Sequence, residues 1–156
     1  PHEPTSRATR LDVEARPRDA SWVGATGPRA FEVDPRYGLD RFVDCRAHYL
    51  SRDFLAARDP QTEASPFILW GYGATGRSLR QALEDRGHRL AALIDVHPGR
   101  VGQQIHGARV HPPSWLESRT DHPIIVSVAG AKPRTEIRSE LTRLRYREGD
   151  DFVFAA

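Results

Sequence analysis

FILWGYGATGRSLRQALEDRGHRLAALID, residues 67–95, is the stretch whose reading decides the fold. A short apolar run, Phe67 to Trp70, breaks into Gly71-Tyr72-Gly73-Ala74-Thr75-Gly76. Leu79, Ala82 and Leu83 then recur on one face of a helix running to about Arg86, with Arg77, Arg80, Gln81 and Glu84 on the other. Gly87 stops it as a left-handed cap does, and a second apolar run, Leu90 to Ile94, ends on Asp95. Strand, glycine turn, helix, strand, acid is the order of the first βαβ unit of a nucleotide-binding α/β fold. Gly71 permits the tight turn, Gly73 leaves room for a phosphate beside the backbone, and Gly76 lets helix and strand approach. Asp95 lies nineteen positions beyond Gly76, near the roughly 20 expected of a carboxylate that accepts ribose hydroxyls.

Downstream, Val96 to Arg100 reads as a turn, and Ile105 to Val110 as a short irregular strand or hairpin bent at Gly107. Pro112 and Pro113 introduce a one-turn helix at Ser114 to Leu116. The nearly continuous apolar run of residues 123–129, PIIVSVA, suits a strand covered on both faces. Gly130, Ala131 and Lys132 turn the chain into a helix with Pro133 as its first residue and Ile137, Leu141 and Leu144 inward. Residues 152–154, FVF, make a last strand at a sheet edge. The expected fold is a small doubly wound, mostly parallel Rossmann-like α/β sheet of four or five strands, spanning residues 66–156.

Upstream, Leu39, Phe42, Val43, Ala47, Leu50 and Phe54 form a helical stripe, expected to be helical from about Leu39 to Ser51. Residues 38–65 are thus an amphipathic helix and a polar connector. Residues 1–37 carry no period and are broken by five prolines; they read as an irregular linker or the end of a preceding domain, with Trp22 and Phe31 able to dock on a neighbour. A chain that starts with Pro1 and lacks methionine is expected to be part of something longer.

Lys132 is the only lysine among 23 Lys and Arg, and the net charge is +2. The arginines are scattered among acids rather than gathered in a dense basic patch, so no nucleic-acid partner is expected. Cys45 stands alone, which excludes an internal disulfide or a cysteine-based metal cluster. No apolar run approaches the ~18 residues of a membrane span and no secretory signal is visible, which points to the cytoplasm.

Ligands of an open parallel sheet bind beyond the carboxyl ends of its strands. The candidate nucleotide site is therefore Gly71, Gly73, Ala74, Thr75 and Gly76 for a phosphate, Asp95 for hydroxyls, and Gly130 with Lys132 for a second charge, with Arg134 as an alternative to Lys132. His97, His106 and His111 lack acid or cysteine partners at ligand spacing and are not read as a metal site. Ser78 and Ser127 have no neighbouring histidine–acid pair, so no catalytic residue is assigned. Some sixty-five residues precede the sheet, half of them irregular, which leaves little room for the proton donor and substrate pocket of a self-contained dehydrogenase.

The blocks FILWGYGATGRSLRQAL, LAALIDVHPGRVGQQIHGARVHPPSWL, IIVSVAGAKPRTEIRSEL and EGDDFVFA resemble the small Rossmann-like domain at the C-terminus of bacterial family 2 glycosyltransferases. Similar units occur in sugar acyltransferases and in sugar epimerases and dehydratases. Asp34-Pro35-Arg36-Tyr37 resembles the segment that joins such a domain to its catalytic partner. The resemblance implies an accessory domain that binds a nucleotide or nucleotide-sugar, with a catalytic glycosyltransferase domain in the same polypeptide and no turnover by this chain alone. Tyr72 departs from the alanine common in such loops and is expected to crowd a ligand. Two alternatives stand beside this reading: an NAD(P)-binding fragment of an oxidoreductase or sugar epimerase, and a purely structural interaction domain.

Overall fold

A computed structural model describes residues 38–56 and 65–156. The expectations for residues 1–37, including Trp22, Phe31 and the Asp34–Tyr37 segment, and for most of the connector lie outside them. The described elements are helix α1 (Leu39–Tyr49), a π-helical turn (Leu50–Leu55), strand β1 (Pro66–Trp70), helix α2 (Ala74–Glu84), strands β2 (Arg89–Ile94), β3 (Gln104–Ile105) and β4 (Ala108–His111), a 3-10 turn (Pro113–Ser118), strand β5 (Ile124–Val126), helix α3 (Ala131–Arg143) and strand β6 (Phe152–Phe154).

Six strands form one sheet in the order β3-β4-β2-β1-β5-β6. Every pairing is parallel except β3 with β4. The chain winds outward from β1 through β2 to β4, then returns to the other side of β1 with β5 and β6. That reversal beside β1 is the switch point of a doubly wound sheet, so the expected Rossmann-like α/β class is what the molecule adopts.

Alternation along the strands divides the core into two layers. Phe67, Leu69, Leu93, Val110 and Ile125 face α1 and α2, where Val43, Ala47, Leu79 and Leu83 cover them. Ile68, Trp70, Ile94, Ile124 and Val126 face the other way, under Leu116, Ile137 and Leu141. Successive residues of β5 are buried on opposite faces, which is why its sequence shows an unbroken apolar run.

The sheet has six strands rather than the four or five expected, because residues 104–111 form a hairpin of two, and other local features also depart from the sequence reading. Helix α1 does not stop near Ser51 but continues as a π-helical turn in which adjacent Phe54 and Leu55 are both buried. The wider turn shifts the phase of the helix and so brings two consecutive side chains to the core. Phe42 is not part of the buried stripe: it is 55% exposed, with the Arg46 guanidinium 4.3 Å from its ring centre. Arg80 is buried on α2 rather than solvated, and its charge is paired with Glu84 one turn on.

No helix crosses over between β2 and β4. A turn over residues 97–102 leads instead into the β3–β4 hairpin, whose two-residue loop, His106 (φ 48°) and Gly107 (φ 77°), has the paired positive φ of a type I′ turn. Tyr72 folds against this part of the sheet. It is buried in the same layer as Leu93, Ala108 and Val110, with its ring tilted against His106.

Candidate functional site

The glycine turn leaves β1 at the switch point and is fixed from two sides. The Gly71 N–H donates to the Ile94 carbonyl of β2 (2.9 Å), and the Ser127 hydroxyl, at the end of β5, donates to the Gly71 carbonyl (2.6 Å). Gly71 has φ +94°, and a Cβ there would lie 2.6 Å from Val128 Cγ2. Gly76 passes so close to the turn that a Cβ would stand 2.4 Å from the Gly71 carbonyl oxygen and 2.7 Å from Ser127 Oγ. Both glycines are therefore demanded by the chain's own packing.

Gly73 is different. It is the N-cap of α2 in an extended conformation (φ −77°), and a Cβ there would meet nothing within 4 Å. Nothing in the fold calls for glycine at that point, whereas a ligand approaching the backbone would. No side chain caps α2. Its first N–H groups, those of Ala74, Thr75 and Gly76, open the helix with the positive end of the dipole, an arrangement that favours an anion. Tyr72 has turned into the core beneath this point, so the expected crowding of the loop by its ring is not what the structure shows.

Asp95 stands at the end of β2, beside the turn, and is 9% exposed. One carboxylate oxygen accepts the His97 N–H (2.9 Å), closing the turn that follows the strand. The other pairs with Arg100 (3.0 Å), a guanidinium absent from the sequence-derived site. Each oxygen retains a lone pair, and the Arg100 side chain is 44% exposed. A half-exposed ion pair contributes at most about 1 kcal/mol, a small obstacle to a ribose sharing the carboxylate or displacing the guanidinium.

Gly130 (φ +94°) is the N-cap of α3, which also lacks a side-chain cap, and Lys132 is exposed in its first turn. Pro133 is the third helical residue rather than the first. Arg134 lies over the Phe154 ring, 4.9 Å from its centre. The strand ends thus bring the glycine turn and Asp95 together directly, with the Gly130–Lys132 loop on the far side of Ser127 along the same edge. In the sequence Ser127 is weighed only as a nucleophile; its structural role is not visible there because its partner is the backbone carbonyl of Gly71, beyond the end of β1. The one visible signal was a lone hydroxyl inside PIIVSVA.

The three histidines are dispersed. His97 Nδ1 accepts the Gly99 N–H, His106 packs on Tyr72, and His111 stacks on Trp115. A concavity of about 560 Å³ lies between α1 and α2, lined in part by Asp40, Asp44 and Asp85. It includes none of the predicted site residues, and its carboxylates suit no anion.

No family model matches the chain. Over 102 residues it is 29% identical to the redox-sensing transcriptional repressor Rex of Streptomyces coelicolor; the alignment spans 64% of this chain and 34% of that protein. The chain thus matches about a third of its curated relative. Several solved structures are similar, among them two of a Rex-family repressor and one of a dehydrogenase. The Rex-family repressor RSP with β-NADH is 14% identical (TM-score 0.49; 65% of this chain, 58% of that one), and RSP with β-NAD+ and operator DNA 16% (0.47; 63% and 53%). UDP-D-quinovosamine 4-dehydrogenase from Vibrio fischeri is 18% identical (0.48; 60% and 79%).

Of the resemblance to glycosyltransferase domains, the Rossmann-like fold is what the sheet order bears out. The expectation that nucleic acid is not among the partners is overturned: the curated relative is by name a transcriptional repressor. Scattered arginines were a poor ground for that exclusion, because a chain matching a third of such a protein need not carry its DNA-contacting surface. Among the described residues no helix is long and apolar enough to cross a membrane.

Proposed function

We propose that residues 66–156 form a nucleotide-binding domain whose ligand is an NAD-type dinucleotide. The observation that carries the reading is the uncapped start of α2, open at Gly73, beside the buried carboxylate of Asp95. The helix N-terminus offers N–H donors to the diphosphate, and Asp95 accepts the hydroxyls of the adjoining ribose. A carboxylate there suits a free 2′-hydroxyl and repels a 2′-phosphate, which favours NAD(H) over its phosphorylated form. The likeness to a redox-sensing repressor supports this choice of ligand and a role in sensing the reduced and oxidised dinucleotide.

The glycosyltransferase accessory reading uses the same phosphate seat and differs in the base and sugar attached. Calorimetric titration with NADH, NAD+ and a uridine diphosphate sugar separates the two. We expect the dinucleotides to bind and Asp95→Ala to weaken them at least about tenfold, through loss of charge-assisted hydrogen bonds of roughly 1.5–3 kcal/mol. Saturable binding of the uridine sugar with flat dinucleotide traces would reverse the assignment.

A further inference from the structure

The strand order of the sheet maps onto the order of groups in a nucleotide. The phosphate seat follows β1, the ribose acceptor Asp95 follows β2, and the next strand outward is β4, whose last residue is His111. Neighbouring strand ends are about 4.8 Å apart, a step comparable with those from phosphate to ribose and from ribose to base. The register is direct. His111 pairs with Ile94, and its carbonyl accepts the Asp95 N–H (3.1 Å).

An aromatic pair stands at that third position. The His111 imidazole is stacked on the Trp115 indole with centroids 4.2 Å apart and planes 19° from parallel. Trp115 is packed against the buried layer under α3, and both rings remain partly exposed. Pro112 and Pro113 start the 3-10 turn that carries Trp115 back over the strand end. Leu116, Ile137 and Leu141 already bury the sheet layer beneath, so Trp115 adds packing from its rim and leaves the outer face of the stack open among the described residues.

We infer that the His111–Trp115 stack is the base-binding end of the nucleotide site, taking a purine as the next ring of the pile. This inference rests on the nucleotide reading above and adds its third contact. A flat base whose ribose is held at Asp95 extends outward over β4, and a preformed stack offers it a sequence-tolerant π-surface.

The test uses the full chain, with adenosine diphosphate and ribose 5-phosphate as probes. Base stacking of this kind is lost on alanine substitution with a roughly five- to hundredfold fall in affinity. We expect His111→Ala to weaken adenosine diphosphate by about tenfold and to leave ribose 5-phosphate, which has no base, unchanged. His111→Phe, which keeps a planar ring, should restore most of the affinity. Trp115→Phe should reduce the change in tryptophan emission on binding, with Trp70 beside the glycine turn still present, while retaining the ligand. Equal binding of adenosine diphosphate by wild type and His111→Ala overturns the base platform and leaves the phosphate and ribose contacts standing. Absence of binding by the wild type overturns both.

Discussion

Two glycines three residues apart should fail in opposite ways when each is changed to alanine. At Gly76 the new Cβ would stand 2.4 Å from the Gly71 carbonyl oxygen. An ordinary carbon–oxygen contact is about 3.3 Å, so the turn or the helix must move by roughly 0.9 Å. Overpacking of that size costs about 1–3 kcal/mol. The displaced carbonyl also loses the Ser127 hydroxyl, worth about 1 kcal/mol, and the gain in helix propensity, up to about 1 kcal/mol, offsets part of this. Gly76→Ala should therefore lose about 1–3 kcal/mol of unfolding free energy. At Gly73 the φ of −77° admits alanine and the space is open. The only penalty to the free protein is a poorer N-cap, up to about 1 kcal/mol. A Cβ there would instead stand where the phosphate meets the backbone and forfeit one charge-assisted hydrogen bond, about 1.5–3 kcal/mol, or ten- to hundredfold in affinity. Urea unfolding and NADH calorimetry on the two variants measure both quantities. If Gly73→Ala binds the dinucleotide as tightly as wild type, the open space is not a phosphate seat.

Ser127→Ala should lower stability by about 1 kcal/mol, since it removes the donor that joins β5 to the glycine turn; chemical denaturation with no change in midpoint would count against that role. The Tyr72 hydroxyl is buried with no hydrogen-bond partner among the described residues, so Tyr72→Phe should leave stability unchanged or raise it by up to about 1 kcal/mol, and a clear loss would reveal a partner. His88 is buried, with Nε2 2.6 Å from Ser51 Oγ, and burial holds its pKa below the ordinary 6.5. The unfolded chain therefore takes up the proton first, so stability is complete above pH 6.5 and declines as pH falls below it. His111, lowered by burial and by Arg109, adds to the same slope; His88→Gln should flatten it in part when unfolding is followed from pH 7 downward, and an unaltered slope would remove His88 from the account.

The glycine turn and the helix that follows it were legible in the sequence because they depend on neighbours along the chain. A strand, a glycine turn and a helix are contiguous, and the period of Leu79 and Leu83 is local. Arg80 was misplaced because a charge is assigned to the solvent face by default, and its pairing with Glu84 shows only in three dimensions. The turn toward β4 was harder. With no crossover helix, the direction of the chain after Asp95 depends on how Arg100 and the His106–Gly107 turn fold back, and neither has a periodic signature. Ser127 and His111 reach this edge through strand pairing, Ser127 from fifty-six positions beyond Gly71 and His111 from sixteen beyond Asp95, and no local period announces either.

The short hairpin that replaces a crossover helix also closes one border of the sheet. Its outer strand is two residues long and runs against its neighbour. So brief a border exposes few unpaired amides and carbonyls to a passing extended chain, and type I′ geometry twists it away from the plane. Growth of the ladder by fibril-like addition is thereby blocked on the side that carries the His111–Trp115 stack, without a covering helix over that border.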